Sequence, residues 1–184
     1  IRLAKARGEA MALPVSSEQD TGTMIAVKGN IELIADLVKE DSNVSIANLN
    51  SPSQIVLAGS TQSISSVKPD LEKLGLKVFP LQVSAAFHTP FVGHAQAPFK
   101  MAIEKETFKK PTGKVFSNST AQEYEKDPSK IANMLTEHIL NPVRFKEEIE
   151  NIYEQGGIIF IEIGPKNILT NLVKDILKGK PHEI

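Results

Sequence analysis

Cysteine is absent from this chain of 184 residues. Its absence excludes a disulfide framework, a thiolate metal site and a cysteine nucleophile within these residues. An excess of charge of either sign is also missing, because 21 lysine and arginine residues face 22 aspartate and glutamate residues, for a formal net charge of −1. That balance gives no electrostatic attraction to nucleic acid or to an anionic membrane, and we expect neither as a partner.

Long hydrophobic runs are missing as well. Even the run Ile158-Ile159-Phe160-Ile161 is far too short to span a bilayer. No signal peptide is visible, and we expect a cytoplasmic protein. The hydrophobic share of 41% and the charged share of 23% are ordinary for a globular protein. The chain begins with Ile1 in the middle of a helical pattern, so we interpret it as a piece of a longer protein.

The region from 19 to 84 has a β-α-β-β-α-β order of predicted elements. Helices are predicted after Asn30, with Ile31, Ile34 and Val38 on one face, and after Ser60, where Pro69 should shorten or kink the helix. The predicted strands are Thr23–Val27, Val44–Ala47, Gln54–Ala58 and Leu76–Val83, with a turn at Asn50-Ser51-Pro52. This order is that of a ferredoxin-like α+β unit, which we place at residues 19–84.

The regions on either side of this unit predict a second, α/β layer. Residues 1–18 contain a helix from Arg2 to Leu13 and a linker. Residues 85–184 alternate helices with short strands, and Ile158–Ile163 has the continuous apolar character of a buried parallel strand. The other elements predicted there are helices at Phe91–Lys105, from Asp127, at Val143–Glu154 and after Gly164-Pro165, and a strand at Lys114–Ser117. We therefore predict an α/β protein with the ferredoxin-like unit inserted into a larger subdomain.

His88 is the first candidate for a chemical role. It follows a predicted strand and the small residues Ser84-Ala85-Ala86, and it precedes Thr89-Pro90, which disfavours a helix at that point. A histidine on a loop at a strand end suits catalysis, and it equally suits a hydrogen-bonded structural role. Arg7 stands beside Gly8 inside a predicted helix, where glycine costs about 1 kcal/mol. Either that arginine is solvated or it has access to a ligand.

Other machinery is not visible in these residues. There is no P-loop, no dinucleotide-binding fingerprint and no G-x-S-x-G nucleophile elbow. His88 and His94 are six residues apart, which suits neither a zinc-binding helix nor a zinc knuckle, and we predict no metal site. Glu162 ends an apolar run, and we expect its carboxylate to pair locally.

Six stretches together resemble one family. They are Ala6-Arg7-Gly8, Thr21-Gly22-Thr23-Met24, Asn48 to Val56, Ala86-Phe87-His88-Thr89-Pro90, Asn141-Pro142-Val143-Arg144-Phe145 and Glu162-Ile163-Gly164-Pro165. Their order and spacing resemble the C-terminal part of malonyl-CoA:acyl carrier protein transacylases and of the acyltransferase domains of polyketide and polyunsaturated fatty acid synthases. The resemblance implies an α/β-hydrolase-like large subdomain, here partial, with a ferredoxin-like small subdomain. It also implies a serine in a Gly-His-Ser-x-Gly elbow, which this chain lacks.

The resemblance assigns catalytic roles to two residues. His88 would be the general base for an acyl-serine mechanism, and the backbone carbonyl of His138 would orient it. Other members commonly have asparagine or glutamine where this chain has His138. The substitution is harmless if only the carbonyl acts, whereas an imidazole that points inward could compete for the proton.

The resemblance assigns substrate-binding roles to four more residues. Arg7 would grip the free carboxylate of a malonyl group with two parallel hydrogen bonds. Phe87 would crowd an α-methyl branch, and Asn50 and Met24 would face the cleft. Asn50 is also a good turn residue and Met24 a good core residue, so the structural alternatives stay open for both.

The partners follow from the same resemblance. No cofactor would be bound; malonyl-CoA would be the substrate and the phosphopantetheine of an acyl carrier protein the acceptor, in fatty acid or polyketide biosynthesis. The serine-bearing N-terminal half would be a companion, and a neighbouring ketosynthase domain is a further candidate partner. Two alternatives remain at this point: a non-catalytic ferredoxin-like binding module, which accounts for residues 22–83 only, and a serine hydrolase fragment, which Arg7 disfavours.

Overall fold

A four-stranded antiparallel sheet is the centre of the first half of the chain. The computed structural model describes residues 1–13, 20–34, 38 and 43–184. The strands are β1 (Thr23–Lys28), β2 (Val44–Ser51), β3 (Gln54–Gly59) and β4 (Lys77–Pro80), and they lie in the order β2-β3-β1-β4. Every neighbouring pair is antiparallel, with Ala26 of β1 opposite Val56 of β3 and Phe79 of β4.

One face of this sheet packs against helix α2 (Thr61–Lys73). Ser60 begins the helix, because its hydroxyl accepts a hydrogen bond from the Ser63 amide. The buried cluster contains Ile25 and Val27 of β1, Ile55 and Leu57 of β3, and Ile64, Val67 and Leu71 of α2. The 3₁₀ helix Ile31–Ile34 and Val38 pack against the same cluster, whereas the rest of the helix predicted there lies outside the described residues.

The opposite face of the sheet is buried by a loop instead of a helix. Side chains alternate along a strand, so Met24 of β1, Ala47 of β2, and Val56 and Ala58 of β3 point away from α2. They form a second cluster with Ala86, against which Phe87 and Phe91 pack. This face therefore positions the segment that carries His88.

The second half of the chain is mainly helical. Its helices are a 3₁₀ helix (Pro90–Ala95), α3 (Gln96–Ile103), α4 (Pro128–Glu137), α5 (Phe145–Glu154) and α6 (Ile168–Ile176), and its strands are β5 (Phe116–Ser117) and β6 (Gln122–Glu123). Helix α1 (Arg2–Met11) packs against α3, which is distant in the sequence. Its Ala10 lies in a buried cluster with Phe99 and Ile103 of α3 and with Ile139. Sheet and helices together make an α/β fold. Among the described residues, no helix combines the length and apolarity needed to cross a bilayer.

The prediction of a buried parallel strand at Ile158–Ile163 is wrong for this chain. The segment makes a single parallel bridge between Ile159 and Glu183, and Ile161 and Ile163 are 81% and 95% exposed. A buried parallel strand needs strands on both edges and layers on both faces. The described residues provide only the C-terminal tail on one edge and, around Phe160, a cluster with α5 and α6.

Several predicted boundaries also shift. The fourth strand ends at Pro80 rather than Val83, and it is an edge strand, where proline is tolerated. β2 continues through Asn50 and Ser51, where the sequence predicts a turn. Helix α2 continues through Pro69 to Lys73. The helix predicted from Phe91 to Lys105 is instead a 3₁₀ helix followed by α3, and the sequence does not predict β6.

We predict that Leu57→Ala lowers the free energy of unfolding by about 2–5 kcal/mol, because it leaves a cavity in the centre of the sheet, where Leu57 is 0% exposed. Urea unfolding of the full-length protein measures the effect. Leu74→Ala is the matched control: Leu74 is 43% exposed, and its truncation should cost only about 0.5 kcal/mol. Equal losses for both variants would contradict the assignment of this core.

Candidate active site

A tightly held loop carries His88. The Ala86 amide donates to the carbonyl of Thr21 at 2.9 Å, which attaches the loop to the chain just before β1. The buried Thr89 hydroxyl donates to the Ala86 carbonyl at 2.6 Å and accepts from the Phe91 amide. His88 itself has φ of 61°, a left-handed conformation that costs a residue other than glycine about 1–3 kcal/mol. The surrounding bonds hold His88 in that conformation.

The His88 ring is oriented by a backbone carbonyl. Its Nδ1 lies 3.0 Å from the carbonyl oxygen of Asn141. A carbonyl can only accept, so Nδ1 carries the proton and Nε2 keeps the lone pair of a base. The sequence-based prediction assigns this role to the carbonyl of His138, and the structure moves the main contact to Asn141. The backbone of His138 also hydrogen-bonds to the ring, with a smaller effect on the pKa of His88.

The pKa of His88 lies below its ordinary value of 6.5. Burial is the main cause, since it penalises the imidazolium, and the positive charge of Arg7 is the second. The two backbone carbonyls oppose the shift without cancelling it. His88 is therefore neutral at pH 7, which is the protonation state that a general base requires.

The side chain of His138 lies beside His88. The two ring centroids are 5.7 Å apart and the ring planes are inclined by 53°. Burial, then the charge of His88 and then that of Arg7, lower the pKa of His138 to about 4. At neutral pH its imidazole is therefore uncharged, and a pKa of about 4 makes it a weak base. Its Nε2 is buried and has no hydrogen-bond partner among the described residues.

Arg7 supplies the positive charge of the site. It lies on α1, which the cluster around Ala10 and Phe99 fixes against α3. The guanidinium is half-buried, and burial lowers the pKa of Arg7, although an arginine stays protonated in proteins. Its Nε is buried without a partner in the described part of the chain. The structure thus brings a cation with an unused donor close to both imidazoles.

The remaining predicted residues surround this centre at different depths. Phe87 is half-buried and packs against the cluster that contains Met24. Met24 is only 4% exposed and lies in the core beneath Phe87, which agrees with the structural alternative for this residue. Asn50 is half-buried on β2, near the bridge between Asn48 and Val143 that joins β2 to the segment of Asn141.

Two groups that hold His88 in place carry no specific signal in the sequence. The carbonyl of Asn141 cannot be recognised from the sequence, because every residue has a backbone carbonyl. The only local signal is Pro142, which restricts the backbone conformation of Asn141. Thr89 is notable in the sequence only as the residue before a proline. In the structure its buried hydroxyl donates to the Ala86 carbonyl and so stabilises the loop of His88. Glu162 does pair locally, as predicted, because its carboxylate accepts from the amides of Leu169 and Thr170 at the start of α6.

We predict that Arg7→Gln raises the pKa of His88 towards 6.5, because the substitution removes the positive charge that disfavours the imidazolium. Titration of the ring carbon signals by NMR, between pH 4 and 9, measures the shift. Arg7→Lys keeps a cation and should leave the pKa of His88 low. A pKa of His88 that is the same in both variants would show that Arg7 does not act on this ring.

The comparisons with known proteins agree on one family. Residues 9–183 match the family model described as "Acyl transferase domain". The chain is 40% identical over 141 residues to a polyunsaturated fatty acid synthase protein of Thraustochytrium sp., covering 76% of this chain and 5% of that protein. It is 33% identical over 176 residues to malonyl CoA-acyl carrier protein transacylase of Bacillus subtilis, covering 92% of this chain and 55% of the relative.

A solved structure agrees with the sequence matches. The crystal structure of malonyl CoA-acyl carrier protein transacylase from Clostridium perfringens superposes with a TM-score of 0.87 and 32% identity, over 98% of this chain and 57% of that one. The chain thus spans a little over half the length of these two transacylases. On the match of the family model to nearly all of its residues, this chain belongs to the acyl transferase domain family.

Proposed function

We propose that this chain is the larger, C-terminal part of an enzyme that moves a malonyl group from coenzyme A to the phosphopantetheine thiol of an acyl carrier protein. One observation carries the proposal: a neutral imidazole oriented by the Asn141 carbonyl lies in the same site as a guanidinium with an unused donor. Acyl transfer from a dicarboxylic thioester uses a base, which accepts the proton of the nucleophile, and a cation, which binds the free carboxylate. The names of the transacylase relatives support the same reaction.

In the first half-reaction, His88 Nε2 accepts the hydroxyl proton of a serine that a segment outside this chain supplies. The serine oxygen attacks the thioester carbon, and the carbonyls of Asn141 and His138 stabilise the imidazolium that forms. The tetrahedral intermediate collapses, the carbon–sulfur bond breaks, and the leaving thiolate of coenzyme A takes the proton from the His88 imidazolium. An acyl-serine remains.

In the second half-reaction, the phosphopantetheine thiol of the carrier protein gives its proton to His88 Nε2 and attacks the acyl-serine. The carbon–oxygen bond breaks, and the serine oxygen recovers the proton from His88. The same neutral base serves both directions, so the ring must return to one orientation after each transfer. The hydrogen bond from Nδ1 to Asn141 provides that fixed orientation.

Selectivity for the acyl group follows from two residues. Arg7 binds the free carboxylate of malonate, for which a planar guanidinium is well matched. Phe87 is held against the apolar cluster beside His88, where its ring would crowd a branched acyl group. Asn50 borders the cleft in this proposal, and Met24 supports Phe87 from below.

The proposed division of the chain follows the packing. Residues 19–84 form a ferredoxin-like small subdomain, supported by the strand order β2-β3-β1-β4 with α2 on one face. Residues 1–18 and 85–184 are assigned to an α/β-hydrolase-like large subdomain, supported by the packing of α1 on α3, and the linker predicted before residue 19 lies outside the described residues. A binding module without catalysis would explain the sheet alone and would leave the grouping of Arg7, His88 and His138 without a purpose.

The exposed isoleucines support a binding place for a companion segment in this proposal. Ile161 and Ile163 lie open on a segment whose neighbour on one edge is the C-terminal tail. A serine-bearing segment that packs against Ile158–Ile163 would cover these exposed side chains. The carrier protein, and in a synthase a neighbouring ketosynthase domain, are the further partners of this proposal.

We predict that His88→Ala slows acyl-serine formation by about 10²- to 10⁴-fold, because general-base catalysis is lost. The measurement uses the full-length protein and radiolabelled malonyl-CoA and acetyl-CoA in single-turnover loading. His182→Ala, which changes a histidine near the C-terminus, is the control and should load normally. Unchanged loading by His88→Ala would remove His88 from the mechanism.

Arg7→Ala tests selectivity in the same assay. The variant should lose about 10- to 100-fold in malonyl loading, the value of a hydrogen bond to a charged group, while acetyl loading changes little. Lys5→Ala, which removes an exposed cation on the same helix α1, is the matched control. Equal losses with both thioesters would contradict the role of Arg7 as the carboxylate-binding residue.

A further inference from the structure

Two buried nitrogen atoms in the site have no hydrogen-bond partner in the described part of the chain. They are Nε of Arg7 and Nε2 of His138. They come from different elements, since Arg7 lies on α1 and His138 ends α4. Leaving a buried polar atom without a partner is unfavourable, so a ligand that accepts from both of these atoms would be favoured in the site.

The surroundings of His138 specify the charge of that ligand. The two other titratable groups that act on its ring are His88, at 5.7 Å between ring centroids, and Arg7. Both disfavour a proton on His138, together with burial, so the ring is neutral when the site is empty. A neutral imidazole can still donate one hydrogen bond from Nε2. A cation would be repelled by Arg7, whereas an anion would be attracted by Arg7 and could accept from Nε2.

We propose that the imidazole of His138 is a second binding residue for the carboxylate of the acyl group, donating from Nε2 to an oxygen of the carboxylate that Arg7 holds. The proposal rests on the proposed function and deepens it. The backbone of His138 acts on His88, and its side chain acts on the substrate. An asparagine at this position would keep the backbone role and would offer a shorter donor.

The arrangement has a consequence for selectivity. Arg7 alone attracts any anion, but a donor on a separate helix fixes the direction in which the carboxylate must lie. A malonyl group satisfies both buried nitrogen atoms at once, whereas an acetyl group leaves both without partners. The second donor thus increases malonyl binding without increasing acetyl binding, and it widens the difference between the two thioesters by that amount.

The test is single-turnover loading of the full-length protein with malonyl-CoA and with acetyl-CoA. His138→Phe keeps an aromatic ring but has no nitrogen, and His138→Gln restores a donor of similar length. We expect His138→Phe to lose about 10- to 100-fold in malonyl loading with acetyl loading within about twofold, and His138→Gln to recover part of the loss. His182→Phe is the control for the substitution itself.

Acetyl loading also reports whether the variant is folded and whether His88 is still oriented. Equal losses with both thioesters in His138→Phe would overturn the proposal, because they would mean that the ring only supports His88. Unchanged malonyl loading would overturn it as well. If Arg7→Ala is selective and His138→Phe is not, the proposed function stands and this inference fails. If the wild-type protein loads neither thioester, the proposed function fails first.

A second measurement does not depend on rates. NMR titration of labelled histidines in the malonyl-loaded protein should show the pKa of His138 rising above its value of about 4, because a carboxylate then faces the ring. The acetyl-loaded protein should show no such rise. The same pKa for His138 in both loaded forms would contradict the proposed hydrogen bond.

Discussion

The hydrogen bond between His88 Nδ1 and the Asn141 carbonyl is the constraint on which the site depends. It joins residues 53 positions apart in the sequence, so the fold has to bring two separate segments together before the base has an orientation. One segment is held by the buried face of the sheet and by Thr89. The other is held by the pairing of Val143 with Ala47 and Leu49 of β2. β2 and its neighbour β3 therefore connect both partners of the bond.

The electrostatics of the site follow from the same burial. One guanidinium and two imidazoles share a partly buried region, where burial and the charge of Arg7 both disfavour a proton on either imidazole. Arginine keeps its proton most strongly, so both histidines are neutral. The site thus contains one cation beside two neutral imidazoles rather than three cations.

The sequence predicted most of the sheet, because apolar residues cluster along β1 and β3, and it predicted helix α2 from its apolar face and from Ser60, whose side chain caps the helix. The roles given to Arg7, His88 and His138 came from the resemblance to a family and not from periodicity. The exposure of Ile158–Ile163 could not be predicted, because an apolar run reports a preference for burial and not whether the chain itself supplies the cover. The Asn141 carbonyl was missed for a different reason: backbone acceptors are chosen by geometry, and His138 and Asn141 lie in the same turn after α4.

Small residues on the second face of the sheet explain how a loop can replace a helix there. A Cβ on Gly22 would lie 2.6 Å from the Gly59 carbonyl oxygen and 2.7 Å from the Ala86 Cβ, and Gly22 has φ of 73°, so glycine is required on both counts. Ala58 and Ala86 are 0% exposed, and larger side chains would push the loop outward. Because His88 lies two residues after Ala86, such a displacement would be transmitted to the imidazole and would break its bond to Asn141. The small residues of this face therefore control the orientation of the base as directly as the carbonyl that it contacts.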